Sequence, residues 1–360
     1  MDPILKAKLE TYKEFKLMKL NEYYTKLQES LGTNKKEKFV ELNSEFISKT
    51  REVSLPGKNL RGLLVILGYE LSGKTATDEI YNASLLIEMF HSGVLIHDDI
   101  MDNDNLRRGV ETVHKHFENY CAKHLLNDAK HYGMSMGINA GDLNILYGLS
   151  IFLSTNLPAE NVIEALKIYS FYTTRVVLGQ TLDITNYGHK INESYVEQIH
   201  KYKTAEYTGV LPLLMGAKLG GIKDESILKA IKVYGNSLGW AFQIKDDILG
   251  TFGNMDQQGK SNNSDILEGK NTILFSLALK NLQEDKKKLL LSLYGDRDIR
   301  EDGIKTVRNL FVESEALKQA ESLGQNYVNL AVEQVDRITH LADTKNLLIS
   351  LVKYIMYRVS

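Results

Sequence analysis

Apolar residues recur every three or four positions along most of this chain, and strict alternation of apolar and polar residues is scarce. That spacing puts side chains on one face of an α-helix, whereas a half-buried strand needs a period of two. The stretches LRGLLVILGYEL, NASLLIEMFHSGVLIHDDIMD, NVIEALKIYSFYTTRVVLGQTLDI and NTILFSLALKNLQ all read as helices. Helix breakers are few, with 4 prolines at Pro3, Pro56, Pro158 and Pro212. The pattern predicts an all-α bundle, and helices apolar nearly all round predict a buried central layer. Pro212, inside YTGVLPLLMGAKLGG, is expected to kink or end a helix. Irregular, exposed chain is expected over residues 250–272 and 294–303, where Gly and polar residues gather. No linker interrupts the pattern, so a single domain over residues 1–360 is expected.

The charge balance narrows the function. Lys and Arg number 44 against 46 Asp and Glu, for a net charge of −2. A nucleic-acid binder needs a basic excess that is absent here, so anion binding must come from local clusters. The single cysteine, Cys121, rules out a disulfide within the chain and reads as a small apolar residue. The charged start MDPILKAKLETYKEF lacks the apolar core of a signal peptide, and no apolar run is long enough to span a bilayer. A soluble, cytoplasmic protein is expected.

The strongest local signal is HSGVLIHDDIMDNDNLRRG, residues 91–109. On a helix Asp98 and Asp102 share a face, with Asp99 beside them, and like charges at that spacing repel. Cations bound between the carboxylates reverse the sign of that interaction. Hard oxygen ligands suit Mg²⁺, which shares its shell with water and substrate phosphates. A partial echo, KDDILG, places Asp246 and Asp247 after another apolar helix, with Gly250 where a third Asp would complete the repeat. One such pair alone reads as a solvated helix end; two pairs, each beside basic residues, favour the metal reading.

Basic and polar residues supply candidate anion ligands. Lys58 and Arg61 lie three apart at a helix start, where the backbone dipole also favours anions. Arg107 and Arg108 follow the first acidic motif, Lys203 and Thr204 lie in YKTAEYTG, and Lys260 and Lys270 flank or occupy the Gly/Asn-rich stretch. His91 precedes Asp98 by two helical turns and offers hydrogen bonds. Gln180, Asp183 and Gln243 interrupt apolar helices, and buried polar groups need partners. Together these groups point to diphosphate binding bridged by Mg²⁺.

The blocks GKNLRG, EMFHSGVLIHDDIMDNDNLRRG, NAGD, GQTLD, YKTAEYTG, GWAFQIKDDILG and GKSNNSDILEGKNT, in this order, resemble the trans-isoprenyl diphosphate synthases, makers of farnesyl, geranylgeranyl and longer prenyl diphosphates. The resemblance implies an all-α fold around a deep central cavity, a homodimer, and Mg²⁺-dependent head-to-tail condensation with three ions when substrate is bound. It implies that Asp98, Asp102 and Asp246 ligate Mg²⁺ on the allylic diphosphate (dimethylallyl, geranyl or farnesyl), supported by Asp99 and Asp247. Arg107, Lys203, Gln243 and Lys260 would contact that diphosphate, with Gln180, Thr204 and Lys270 also on the substrate. Lys58, Arg61, His91 and Arg108 would hold isopentenyl diphosphate. The stretch 250–272 is the candidate lid. Gly250, Pro56, Asn59 and Glu111 depart from the family's common residues.

In this family, residues four and five before the first Asp of the first motif often limit product length. Here they are the small Val94 and Gly93, and Phe90 lies one turn further down. That order predicts geranylgeranyl diphosphate, with a farnesyl or longer product as alternatives. A terpene cyclase would not need Lys58, Arg61 and His91, and NNSDILE lacks the cyclase spacing of Asn, Ser and Glu. A non-catalytic subunit of a heteromeric synthase tends to lose acidic ligands of the first motif, and here all three are intact.

Overall fold

The computed structural model describes residues 2–32, 37–124, 128–185, 193–253 and 263–358. Helices dominate, as the spacing predicts; among the described residues the extended structure is one short hairpin. The chain divides into two compact units, Lys6–Val162 and Ile163–Ser360 with Met1–Leu5.

The first unit contains most of α1 (Pro3–Glu29), then α2 (Lys38–Ser54), α3 (Leu60–Glu70), α4 (Asp78–Met101), β1 (Leu106–Arg107), β2 (Val110–Glu111), α5 (Val113–His124) and α6 (Ala129–Leu153). Asp128 caps α6 by accepting from the His131 amide at 3.1 Å. Leu20, Tyr24, Phe46, Leu85, Met89, Ile96, Phe117 and Ile151 form a continuous core. Cys121 is buried and unpaired, as a small apolar residue would be.

Helix α4 lies against α6 through small residues. A Cβ added at Gly93 would stand 2.7 Å from the Gly141 carbonyl oxygen and 2.8 Å from Ile145 Cγ1. Added at Gly141, it would enter the His97 ring; at Gly148, it would stand 2.7 Å from Met89 Cβ. At Gly93 the obstacle is backbone, which leaves no room for a side chain. Gly93 therefore answers to α6, and its smallness is no measure of room for a product chain. The NAGD block is explained in part by the same contact.

The second unit is built around α10 (Glu225–Phe252), whose Asp224 cap accepts from the Ser226 amide at 2.8 Å. It also holds most of α7 (Ala159–Thr185), then α8 (Glu193–Ile199), a π-helix, π1 (His200–Val210), α9 (Leu211–Leu219), α11 (Ser264–Leu267), α12 (Ile273–Asn281), α13 (Glu284–Leu293), α14 (Glu301–Glu313), α15 (Ala316–Val332), α16 (Val335–Ile338) and α17 (Ala342–Tyr357). Helix α10 packs on π1, α15 and α17 and buries Ile231, Tyr234, Leu238, Ala241 and Ile244.

Three local expectations are corrected. Pro212 falls in the first turn of α9, where a missing N–H is tolerated, so the break is a change from π to α winding. Residues 250–252 continue α10, and Ile266 in α11 is fully buried, so the exposed stretch is shorter than expected; residues 254–262 lie outside the described residues. Tyr294 stacks on Phe275 with ring centroids 4.1 Å apart, and α14 begins at Glu301, which leaves 295–300 as the loop.

Candidate active site

The first acidic motif sits where a helix least favours it. Asp98 and Asp99 occupy the last turn of α4 and Asp102 follows it, at the negative end of the backbone dipole. The β1–β2 hairpin folds back against them, with Arg108 and Gly109 at positive φ in its turn. Its Arg107 forms an ion pair with Asp99 and lies 3.7 Å from Asp98 and 3.5 Å from Asp104. Asp99 is 3% exposed, and burial pushes its carboxyl up to about 7, against the lowering effect of Arg107. Arg107, expected on substrate, is thus engaged by the motif's own carboxylates; Asp98 and Asp102 remain half-buried.

A basic group lies two turns up α4. Burial, then the positive charges of Arg61, Arg108, Lys16 and Arg107, hold the His91 imidazole well below its ordinary value, so it is neutral at pH 7. Arg108 donates to the Pro56 carbonyl, which fixes it at the loop that presents the exposed Lys58. Lys16 was not legible as a site residue, being one lysine among many on a charged helix. It is 2% exposed, donates to Asn59 Oδ1 at 2.9 Å and lies 3.5 Å from Glu88. Glu88 in turn accepts from the Gly62 amide at 2.7 Å. The Lys58–Arg61 segment is therefore tied to α4 from beneath.

The second unit holds the other candidates. Asp247 is 3% exposed; it accepts from Gln243 Nε2 at 2.6 Å and from the Ile273 amide at 2.8 Å. Burial pushes its carboxyl up to about 7, against those two donors. His200 Nε2 lies 3.7 Å away, and burial lowers that imidazole to about 4. Gln243, expected on the diphosphate, is thus the side chain that orients Asp247. Asp246 pairs with Arg358, a residue the motifs did not flag because it lies far along the chain. Lys203 donates to Asp183 Oδ2 at 2.6 Å, brought there by the close approach of Gly179 on α7 to the backbone of π1. Arg175 holds the same segment through Glu206 at 2.6 Å and the face of Tyr202. Gln180 and Thr204 are half-buried on α7 and π1. Lys270 lies 2.9 Å from Glu268 and 3.9 Å from Asp265. Lys260 lies outside the described residues.

Among the described residues no group of three or more His, Cys, Asp or Glu gathers as a metal cage. Mg²⁺ does not require one, because it binds through one or two carboxylates and takes its other ligands from water and phosphate. Carboxylates in pairs beside fixed cations suit that chemistry.

The polyprenyl synthetase family model matches residues 45–311. A geranylgeranyl diphosphate synthase of Saccharolobus solfataricus is 33% identical over 290 residues, covering 78% of this chain and 80% of the relative. A short chain isoprenyl diphosphate synthase of Methanocaldococcus jannaschii is 36% identical over 252 residues, covering 69% and 70%. Among solved structures, geranylgeranyl pyrophosphate synthase from Corynebacterium glutamicum, complexed with isoprenyl diphosphate and magnesium, superposes with a TM-score of 0.89 at 25% identity, covering 97% of this chain and 99% of the other.

Proposed function

The chain belongs to the polyprenyl synthetase family and is a trans-prenyltransferase, and from that premise we propose that it makes geranylgeranyl diphosphate. Isopentenyl diphosphate would be added head to tail to an allylic diphosphate with Mg²⁺, in a cytoplasmic homodimer whose residues 1–360 act as one domain. The observation that carries this reading is the pairing on α4 of an acidic end with a basic group at His91, each suited to one part of the two-substrate reaction.

Mg²⁺, when bound, would neutralise the diphosphate leaving group as the allylic carbon–oxygen bond breaks. Asp98, Asp102 and Asp246 would hold it. Asp99 and Asp247 set the geometry from beneath, each fixed by a cationic or amide partner. Lys203, with Lys260 and Lys270, would add positive charge on the allylic diphosphate. Lys58, Arg61 and Arg108 would grip isopentenyl diphosphate, and neutral His91 would donate a hydrogen bond to it. Holding both substrates converts a bimolecular step into a positioned one.

Phe90, Val94 and Asp98 share one face of α4, which supports Phe90 as the stop for the growing chain. Eight residues of helix put Phe90 about 12 Å from Asp98 along the axis. The dimer reading is supported on α6, where Met134, Ile138, Leu146 and Leu153 are exposed large apolar side chains, with the exposed Asp142 between Ile138 and Leu146.

Purified protein incubated with Mg²⁺, isopentenyl diphosphate and each of the three allylic primers should release a mainly twenty-carbon prenyl diphosphate by chromatography. No condensation with any primer would overturn the reading, and cyclic hydrocarbon from a prenyl diphosphate alone would replace it with a cyclase.

A further inference from the structure

The turn that opens α3 is held from outside the helix. Asn59 is its N-cap by position, yet it sits at φ 56° and ψ 25°, in the left-handed region, and its side chain caps no amide of the helix. An N-cap Asn ordinarily takes an extended backbone and accepts from the second or third amide of its own helix. Here both groups are satisfied by other helices. The third amide, that of Gly62, donates at 2.7 Å to Glu88 on α4. Asn59 Oδ1 accepts at 2.9 Å from Lys16 on α1.

Lys16 is built into this place and is 2% exposed. An ammonium offers donors and no acceptor. Those of Lys16 face Asn59 Oδ1, the Leu55 carbonyl at 3.4 Å and Glu88 at 3.5 Å. One turn earlier on α1, Tyr12 shares a 2.9 Å hydrogen bond with Ser84, and its ring lies where a side chain at Gly62 would stand. A Cβ built on Gly57 would meet Asn59 Oδ1 at 3.2 Å, Lys16 Nζ at 3.6 Å and Arg108 Nη1 at 3.7 Å. The segment carrying Lys58 and Arg61 is thus clasped between α1 and α4. Left-handed Asn59 stands between those two basic residues in the chain, so its backbone angles set their directions relative to each other.

We propose that Lys16 is a positioning residue for isopentenyl diphosphate: acting through Asn59, α1 sets the aim of Lys58 and Arg61 and with it the affinity of that diphosphate subsite. This rests on the assignment of Lys58, Arg61 and Arg108 to isopentenyl diphosphate made above. Lys16 is itself no ligand, because its donors are engaged inside the protein. The allylic side lies apart from this device, since ten residues of helix put Glu88 about 15 Å from Asp98 along α4.

Steady-state kinetics with Mg²⁺ are measured on the full chain for the wild type, Lys16→Met, Asn59→Gly and the double variant Lys16→Met/Asn59→Gly. Each is also melted, and its binding of inorganic diphosphate in EDTA is followed by calorimetry. Met keeps an unbranched stem without the donors, and Gly takes the left-handed turn without strain but offers no acceptor. Each single variant should raise the KM for isopentenyl diphosphate about tenfold, with kcat and the KM for the allylic primer within about twofold of the wild type. Diphosphate binding in EDTA should weaken in parallel. The double variant should be within about twofold of either single one, because both remove the same contact. The proposal is overturned if Lys16→Met melts at a lower temperature with an unchanged KM for isopentenyl diphosphate, or if the two single losses multiply in the double variant. Should Lys16→Met fail to fold, Asn59→Gly decides, and an unchanged KM there overturns the proposal equally. A wild type that joins no substrates, yet whose diphosphate binding in EDTA weakens on Lys16→Met, would sink the proposed reaction and leave the positioning role of Lys16 standing.

Discussion

Asp99 is a carboxyl whose burial outweighs its ion pair. Its proton is held to about 7 in the folded chain, against an ordinary value of 3.8. The folded state therefore binds more protons than the unfolded one between those values, and stability falls as pH rises through that window. A bound cation favours the ionised carboxylate, so binding of Mg²⁺ with inorganic diphosphate should strengthen from pH 6 to pH 8. Calorimetry in buffers of different ionisation enthalpy should show more proton release for wild type than for Asp99→Asn; equal release would mean that Asp99 does not titrate with binding. The identity of the acidic residues was legible in sequence, because few other arrangements explain carboxylates crowded at the end of an apolar helix. Their partners were not. Arg107 was legible as a cation but not as the partner of Asp98 and Asp99, since that depends on the hairpin turning at Arg108 and Gly109.

At the scale of the element, α4 presents two faces with different tolerances. One meets α6 through Gly93, and the other carries Phe90, Val94 and Asp98. Gly93→Leu should destabilise the protein by about 1–3 kcal/mol through overpacking, read by denaturant unfolding. Phe90→Ala should instead lengthen the product, and a product of unchanged length would remove Phe90 from the path of the chain. Sequence periodicity made the helices legible but not which apolar or small residues meet a neighbouring helix, so Gly93 read as open space. The π winding of residues 200–210 was invisible for a related reason: nothing in YKTAEYTG distinguishes five-residue from four-residue hydrogen bonding.

For the whole molecule, no helix among the described residues is long and apolar enough to cross a membrane. Its paired acidic motifs make a cation with a polyanion the natural ligand. Mg²⁺ and inorganic diphosphate together should raise the melting temperature more than the sum of either alone, since a ligand at 100 times its Kd adds about 2.7 kcal/mol. A rise from diphosphate alone, unaffected by EDTA, would point to binding by the basic residues without metal.

The family match covers residues 45–311, yet Lys16 and Arg358 lie outside it. Lys16 neutralises Glu88 beneath the basic group on α4, and Arg358 sits on Asp246. Each is a buried counter-ion delivered by a flanking helix or its immediate extension. A chain trimmed to the recognisable span would keep every motif and still be electrically incomplete: one unit would retain a buried acid without its base, and the other an aspartate without its guanidinium. The working protein is bounded by where its charges balance, which is wider than where its motifs end.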